Sequence, residues 1–179
     1  MTDRDLILAA LPEPLGGEVP AIYDRQHVPS KDLWLEFEEH LVALGGKMLI
    51  AGALPLLVNR PNDVWFDEDA ARLLPGGLKR ADSIWNSEVG VCVGDIAIAE
   101  TGSILLAATA GRSRMTSLAP PVNVVLIRED AIVATPEEAF ARLSSATSVV
   151  VTGTSRTADI EGVLVRGVHG PRELYVVRI

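Results

Sequence analysis

The stretch VGVCVGDIAIAETGSILLAA, Val89–Ala108, decides the fold. It reads as short, β-rich segments that are apolar on both faces, the pattern of strands covered by layers on each side. Glu100, Thr101 and Gly102 interrupt this run. Three residues leave no room for a crossover helix, so DIAIA and SILLAA are expected to form an antiparallel hairpin that turns there. A carboxylate beside the core is costly unless it is paired or meets a ligand. Arg112, Arg114 and Arg156 are the candidate partners for Glu100.

Downstream, VNVVLI (122–127), AIVA (131–134), SVVVTG (148–153) and LYVVRI (174–179) repeat the strand pattern, while PEEAFARL (136–143) and SRTADIEGVLV (155–165) have helical period. Upstream, KDLWLEFEEHLVALGG (31–46) spaces Leu33, Trp34, Phe37, Leu41 and Leu44 along one helical face and ends on Gly45–Gly46, a C-terminal stop. MLIAGALPLLV (48–58) and DVWF (63–66) read as strands. DEDAARLL (67–74) reads as a short helix whose acidic start suits the dipole. Strands alternating with helices predict an α/β domain: three layers, α/β/α, around a mainly parallel sheet with one hairpin.

The chain has 179 residues, about one domain by the usual length prior. Pro12, Pro14, Gly16, Gly17 and Pro20 crowd its start, so residues 1–30 are expected to be an arm and residues 31–179 a single domain. A net charge of -8 without a basic cluster argues against nucleic acid. The apolar runs fall short of the roughly 20 residues that a membrane helix needs, and MTDRDLILAA lacks the basic start of a secretory signal, so the cytoplasm is the expected location. One cysteine, Cys92, and three scattered histidines, His27, His40 and His169, form no metal-ligand pattern; no bound metal is expected, and Cys92 reads as a small core residue.

Polar residues gather in four places: Glu100-Thr101-Gly102; AGRSRMTSLAPP (110–121), with Arg112 and Arg114; VVVTGTSRTADIE (149–161); and GVHGPREL (167–174), with His169 between glycines. The third reads as strand, turn and helix. Gly153 would allow close backbone approach, the amides of Thr154, Ser155 and Thr157 would face an anion at a helix N-terminus, and Arg156 would add a two-pronged donor. The alternative is that Thr154, Ser155 and Thr157 cap the helix while Asp159 pairs with an arginine. Equally, Arg112 and Arg114 read as solvated loop charges, and His169 as a turn residue bonded to backbone.

GDIAIAETGSILL (94–106), GRSRMTSLAPPVNVVLI (111–127) and TGTSRTADIEGVLVRGVHGPREL (152–174), in this order, resemble the LUD-domain family in its lactate-utilisation C (LutC/YkgG) branch. The resemblance is dense from about Val89 onward. It implies a fold like the NagB/RpiA/CoA-transferase superfamily and a part in oxidising L-lactate to pyruvate, alongside two iron–sulfur proteins. On that view this chain binds no cofactor itself, and the clusters sit in its partners. The family's recurring positions map onto Glu100, Thr101, Gly102, Arg112, Arg114, Gly153, Ser155, Arg156, Thr157, Asp159, Glu161, His169 and Gly170. Three roles are expected: Arg156 and the Thr154–Thr157 turn bind a small carboxylate or phosphate, Glu100 orients Arg112 or accepts a substrate hydroxyl, and His169 serves as acid or base. The competing expectation is a stand-alone enzyme acting on a phosphorylated or carboxylated small molecule, by analogy with the isomerases, transferases and cycloligases of the fold.

Overall fold

The computed structural model describes residues 5, 9, 28–57, 63–74, 76, 78–143, 147–157 and 165–179. Asp159, Glu161 and nearly all of the arm expected over residues 1–30 lie outside them. Helix α1 spans Leu33–Ala43. The Asp32 carboxylate caps its start by accepting from the amides of Trp34 and Leu35 at 3.0 and 3.2 Å. Gly45, at φ 84°, ends it in the left-handed conformation that the sequence led us to expect there. Phe37 and Leu41 are fully buried, each worth about 1.5–3 kcal/mol of transfer free energy.

Five parallel strands form the central sheet in the order β1, β11, β6, β3, β2: β1 (Lys47–Leu49), β11 (Glu173–Arg178), β6 (Val122–Ile127), β3 (Val89–Gly94) and β2 (Val64–Phe66). On one face Val64, Val89, Val91, Val124, Leu126 and Val177 pack with Leu54 of α2 (Leu54–Leu57) and Ala70 of α3 (Glu68–Ala71). On the other, Cys92, Val125, Ile127, Leu174 and Val176 meet Phe37 and Leu41 of α1 and the inner residues of a second sheet. The domain is therefore α/β with a mostly parallel central sheet, as the strand pattern predicted.

The hairpin is built as expected: β4 (Ile96–Ile98) runs antiparallel to β5 (Ser103–Ala107), with Ile98 opposite Ser103. It belongs to the second sheet, ordered β7, β4, β5, β8, with β7 at Ile132–Val133 and β8 at Ser148–Thr152. The outer face of that sheet, Ile96, Ile98, Leu105 and Val133, is covered by Ala139 of α4 (Pro136–Arg142). Burial of strands on both sides explains why they read as continuous apolar runs rather than alternating ones.

Two local readings are corrected. MLIAGALPLLV is a strand only through Leu49; a 3-10 turn at Ala51–Ala53 and the short helix α2 follow. SRTADIEGVLV does not begin as a helix: Arg156–Thr157 (β9) pairs antiparallel with Val165–Arg166 (β10) as a two-stranded ribbon. Helical period in the sequence is outweighed there by cross-strand pairing, because propensity is a weak prior against tertiary context. Among the described residues no helix is long and apolar enough to cross a membrane.

Candidate functional site

The Glu100–Gly102 turn is a docking element. Ala99–Thr101 forms a 3-10 turn closed by Gly102 at φ 61°. A Cβ on Gly102 would lie 2.4 Å from the Leu41 amide nitrogen, so only glycine lets the turn seat on α1. His40 Nδ1 donates to the Ala99 carbonyl at 2.9 Å, and the Glu100 amide donates to Ala134 at 3.0 Å. Thr101 donates its hydroxyl to Ser103 at 2.8 Å, and Ser103 lies 2.8 Å from the hydroxyl of Thr152 at the end of β8. Hydroxyls thus tie the turn to β8.

The expected pairing of Glu100 with Arg112 gives way to another arrangement. Arg112 donates through Nε to Asp69 at 2.6 Å and through Nη1 to Asp95 at 2.7 Å. Asp95 precedes β4, whereas Glu100 follows it, so the arginine serves the opposite end of that strand. Burial works against the Arg112 charge, but its bonds to Asp69 and Asp95 more than offset this and hold it above the ordinary arginine range. Beside it, Asp67 is 6% exposed and accepts from Thr116 Oγ1 at 2.7 Å and from the Ser113 amide at 3.4 Å. Burial raises its pKa, with the Thr116 and Ser113 bonds and the Arg112 charge pulling the other way. Cys92 is buried, donates to Asn123 Oδ1 at 3.5 Å, and has its thiol pKa pushed upward by burial.

The remaining candidates converge. Gly153, Thr154, Ser155, Arg156, His169 and Gly170 line one cleft of about 410 Å³, together with Leu44, Ser117, Leu118, Val149, Val150, Val151, Thr152 and Pro171. Gly153, at φ 70°, would place a Cβ 2.5 Å from the Leu44 carbonyl; glycine here lets the β8–β9 turn rest on the end of α1. Arg156 Nη2 donates to that same carbonyl, and Nε reaches Thr154 Oγ1 at 3.4 Å. Arg166 stands directly opposite Arg156 in the ribbon, so two guanidinium-bearing positions share one face. His169 is exposed at the rim.

Glu100, Thr101, Gly102, Arg112 and Arg114 do not line this cleft, and Thr157 lies past it in β9. Arg112, Ser113 and Arg114 border a smaller cavity of about 20 Å³ with Asp67 and Cys92. The two cavities share Ser117 and Val149 as wall residues. No helix N-terminus cradles an anion at Thr154–Thr157, because the chain is extended at Arg156 and Thr157. Sequence reasoning missed Asp67, Asp95, Ser117 and Thr152. The one visible signal is the acidic start of the helix expected over residues 67–74, which includes Asp67; in the structure Asp67 directly precedes helix α3.

The LUD domain profile matches residues 67–179, from Asp67 through the cleft to the last strand. The chain belongs to the LUD-domain family. This LUD chain is 28% identical over 172 residues to lactate utilization protein C of Shouchella clausii, a match covering 86% of the chain and 72% of that relative. It is 38% identical over 106 residues to lactate utilization protein C of Deinococcus radiodurans, covering 56% of the chain and 47% of the relative, just under half its length. A crystal structure of a DUF162 family protein from Deinococcus radiodurans superposes with a TM-score of 0.60 at 26% identity, covering 82% of the chain and 95% of that structure. The LUD fold thus extends upstream of the matched profile.

Proposed function

We propose that this chain is an accessory, non-redox component of a bacterial system oxidising L-lactate to pyruvate, and that the β8–β9 cleft is its binding site for an anionic ligand. One observation carries the reading. Arg156 and His169 line a cleft with Thr152, Thr154 and Ser155, and Arg166 stands directly opposite Arg156 in the adjoining ribbon, in a chain of net charge -8. Like charges directly opposite on a ribbon are unfavourable unless an anion joins them. The relatives named lactate utilization protein C supply the physiological setting. Electron transfer would belong to iron–sulfur partners.

The test has two arms. Calorimetric titration of the purified chain with L-lactate, pyruvate and inorganic phosphate is expected to give saturable binding to at least one, lost in Arg156→Ala; no binding to any counts against the ligand site. Deletion of the gene in a lactate-growing host is expected to abolish that growth, and normal growth counts against the pathway assignment.

A second reading, turnover of a carboxylated or phosphorylated small molecule by the chain alone, is favoured by Asp67, a buried carboxyl with a raised pKa in a cavity that adjoins the cleft. Activity of the isolated chain, abolished in Asp67→Asn, would support it.

A further inference from the structure

The cleft has an unusual wall. Val149, Val150, Val151 and Thr152 all line it, although side chains of successive strand residues point to opposite faces. Consecutive residues border one cavity when that cavity runs along the backbone edge of their strand. Among the described residues β8 is such an edge: it pairs with β5 through Ser148–Thr152 and ends the order of the second sheet. Val149 and Val151 are half-buried against the core, whereas Val150 is 44% exposed. Ser148–Thr152 carries no charge and no proline, two of the devices that commonly protect an edge. Leu118, 38% exposed, and Pro171 also line the cleft.

At the Thr152 end of this edge the chain turns through Gly153 into Arg156, with Arg166 opposite and His169 on the rim. A neutral, apolar, hydrogen-bonding edge therefore leads into a cationic end. Small carboxylates such as L-lactate fill only a fraction of about 410 Å³ and leave the edge unused.

We propose that the cleft takes an extended peptide segment of a partner protein, added to β8 as a further strand, with a carboxylate of that segment held by Arg156 and His169. The main chain of the segment supplies partners for the open N–H and C=O groups of β8, alternate side chains pack on Val150 and Leu118, and the carboxylate supplies polarity and register. This deepens the reading of the cleft as an anion site and rests on it.

The test uses the full chain and three synthetic peptides: acetyl-Thr-Val-Thr-Val-Asp with a free carboxyl terminus; the neutral analogue with Asn for Asp and a C-terminal amide; and the acidic peptide N-methylated at alternate amides. Binding is followed by calorimetry and by amide resonances and hydrogen exchange. The acidic peptide is expected to bind and to protect amides within Val149–Thr152. The neutral analogue and Arg156→Ala should each weaken binding at least tenfold, and N-methylation should abolish it. Equal binding of the N-methylated peptide, shifts confined to other strands, or no binding of the acidic peptide overturns the proposal. Concentration-dependent protection of β8 in the chain alone would make a second copy the occupant and overturn it too. Binding of L-lactate, pyruvate or phosphate without the acidic peptide sinks this inference and leaves the anion site standing; binding of neither sinks both, and binding of the peptide alone supports this inference and makes its carboxylate the anion that the cleft takes.

Discussion

The guanidinium of Arg156 donates through Nη2 to the carbonyl of Leu44, the residue that closes helix α1. The cation offered to a ligand thus also holds the end of a helix, where the dipole favours positive charge. Arg156→Ala is expected to lower stability by about 1 kcal/mol, a fall in Tm of roughly 2–4 °C for a chain this long. Arg156→Lys should recover most of that stability and little of the anion binding, because an ammonium cannot bridge the carbonyl and a carboxylate as a planar fork does. Thermal melts paired with calorimetric titration check both; equal loss of stability in the two variants contradicts the capping role.

Gly102→Ala and Gly153→Ala both force a side chain into a left-handed backbone and against α1, at 2.4 Å from the Leu41 nitrogen and 2.5 Å from the Leu44 carbonyl. Left-handed strain of about 1–2 kcal/mol and overpacking of about 1–3 kcal/mol add in each case. Urea unfolding should show a loss of about 2–5 kcal/mol. Only Gly153→Ala should also alter ligand affinity, since Gly153 lines the cleft and Gly102 does not.

Arg112 joins Asp69 and Asp95, whose side chains are 34% and 28% exposed. Arg112→Met leaves two carboxylates facing each other and is expected to destabilise the fold by about 2–3 kcal/mol, below the range for fully buried pairs because solvent screens them. Adding salt should recover part of the loss. Anion binding in the larger cleft should be unchanged; a parallel loss of binding would join Arg112 to that site.

Asp67 has a raised pKa because burial penalises its ionised form. In the window between its ordinary and its raised value the folded chain holds more protons than the unfolded one, so this group makes stability fall as pH rises through that window. Asp67→Asn keeps an acceptor for Thr116 and removes the charge. It should therefore gain stability relative to the natural chain at neutral pH, with the difference closing in acid below the ordinary aspartate range. Urea midpoints measured across pH decide it; a constant difference at every pH would show that Asp67 is not the titrating group.

Legibility in the sequence followed the range of the interactions. The helix over Leu33–Ala43 is legible because its apolar spacing and its terminal glycines are local; the capping by Asp32 comes from the structure. The hairpin is legible because the three residues between DIAIA and SILLAA leave no room for a crossover helix; the observed strands, ending at Ile98 and starting at Ser103, are four residues apart. Arg156, His169 and Gly153–Ser155 line one cleft, whereas Glu100 and Arg112, expected to share it with them, do not. The helix expected at Ser155–Val165 was misread at both described ends, Arg156–Thr157 and Val165–Arg166, because two residues of ribbon pairing leave no periodic signature. Glu100 and Arg112 were joined on charge alone, which carries no information about distance.

By itself the sequence determined the α/β class, the strand and helix alternation, the turn at Glu100–Gly102 and the family. Those rest on side-chain period, turn chemistry and motif order, which are properties of the chain as written. Only the tertiary structure decided that the hairpin forms a second sheet, that Arg112 belongs to Asp69 and Asp95, and that β8 ends that sheet among the described residues, beside Arg156 and His169. Neighbours across sheets are chosen by packing among residues far apart in sequence, so no local pattern encodes them. The ETG turn, which the sequence offered as a site, proves to be the contact that seats the second sheet on α1 and ties it by hydroxyls to the strand bordering the cleft.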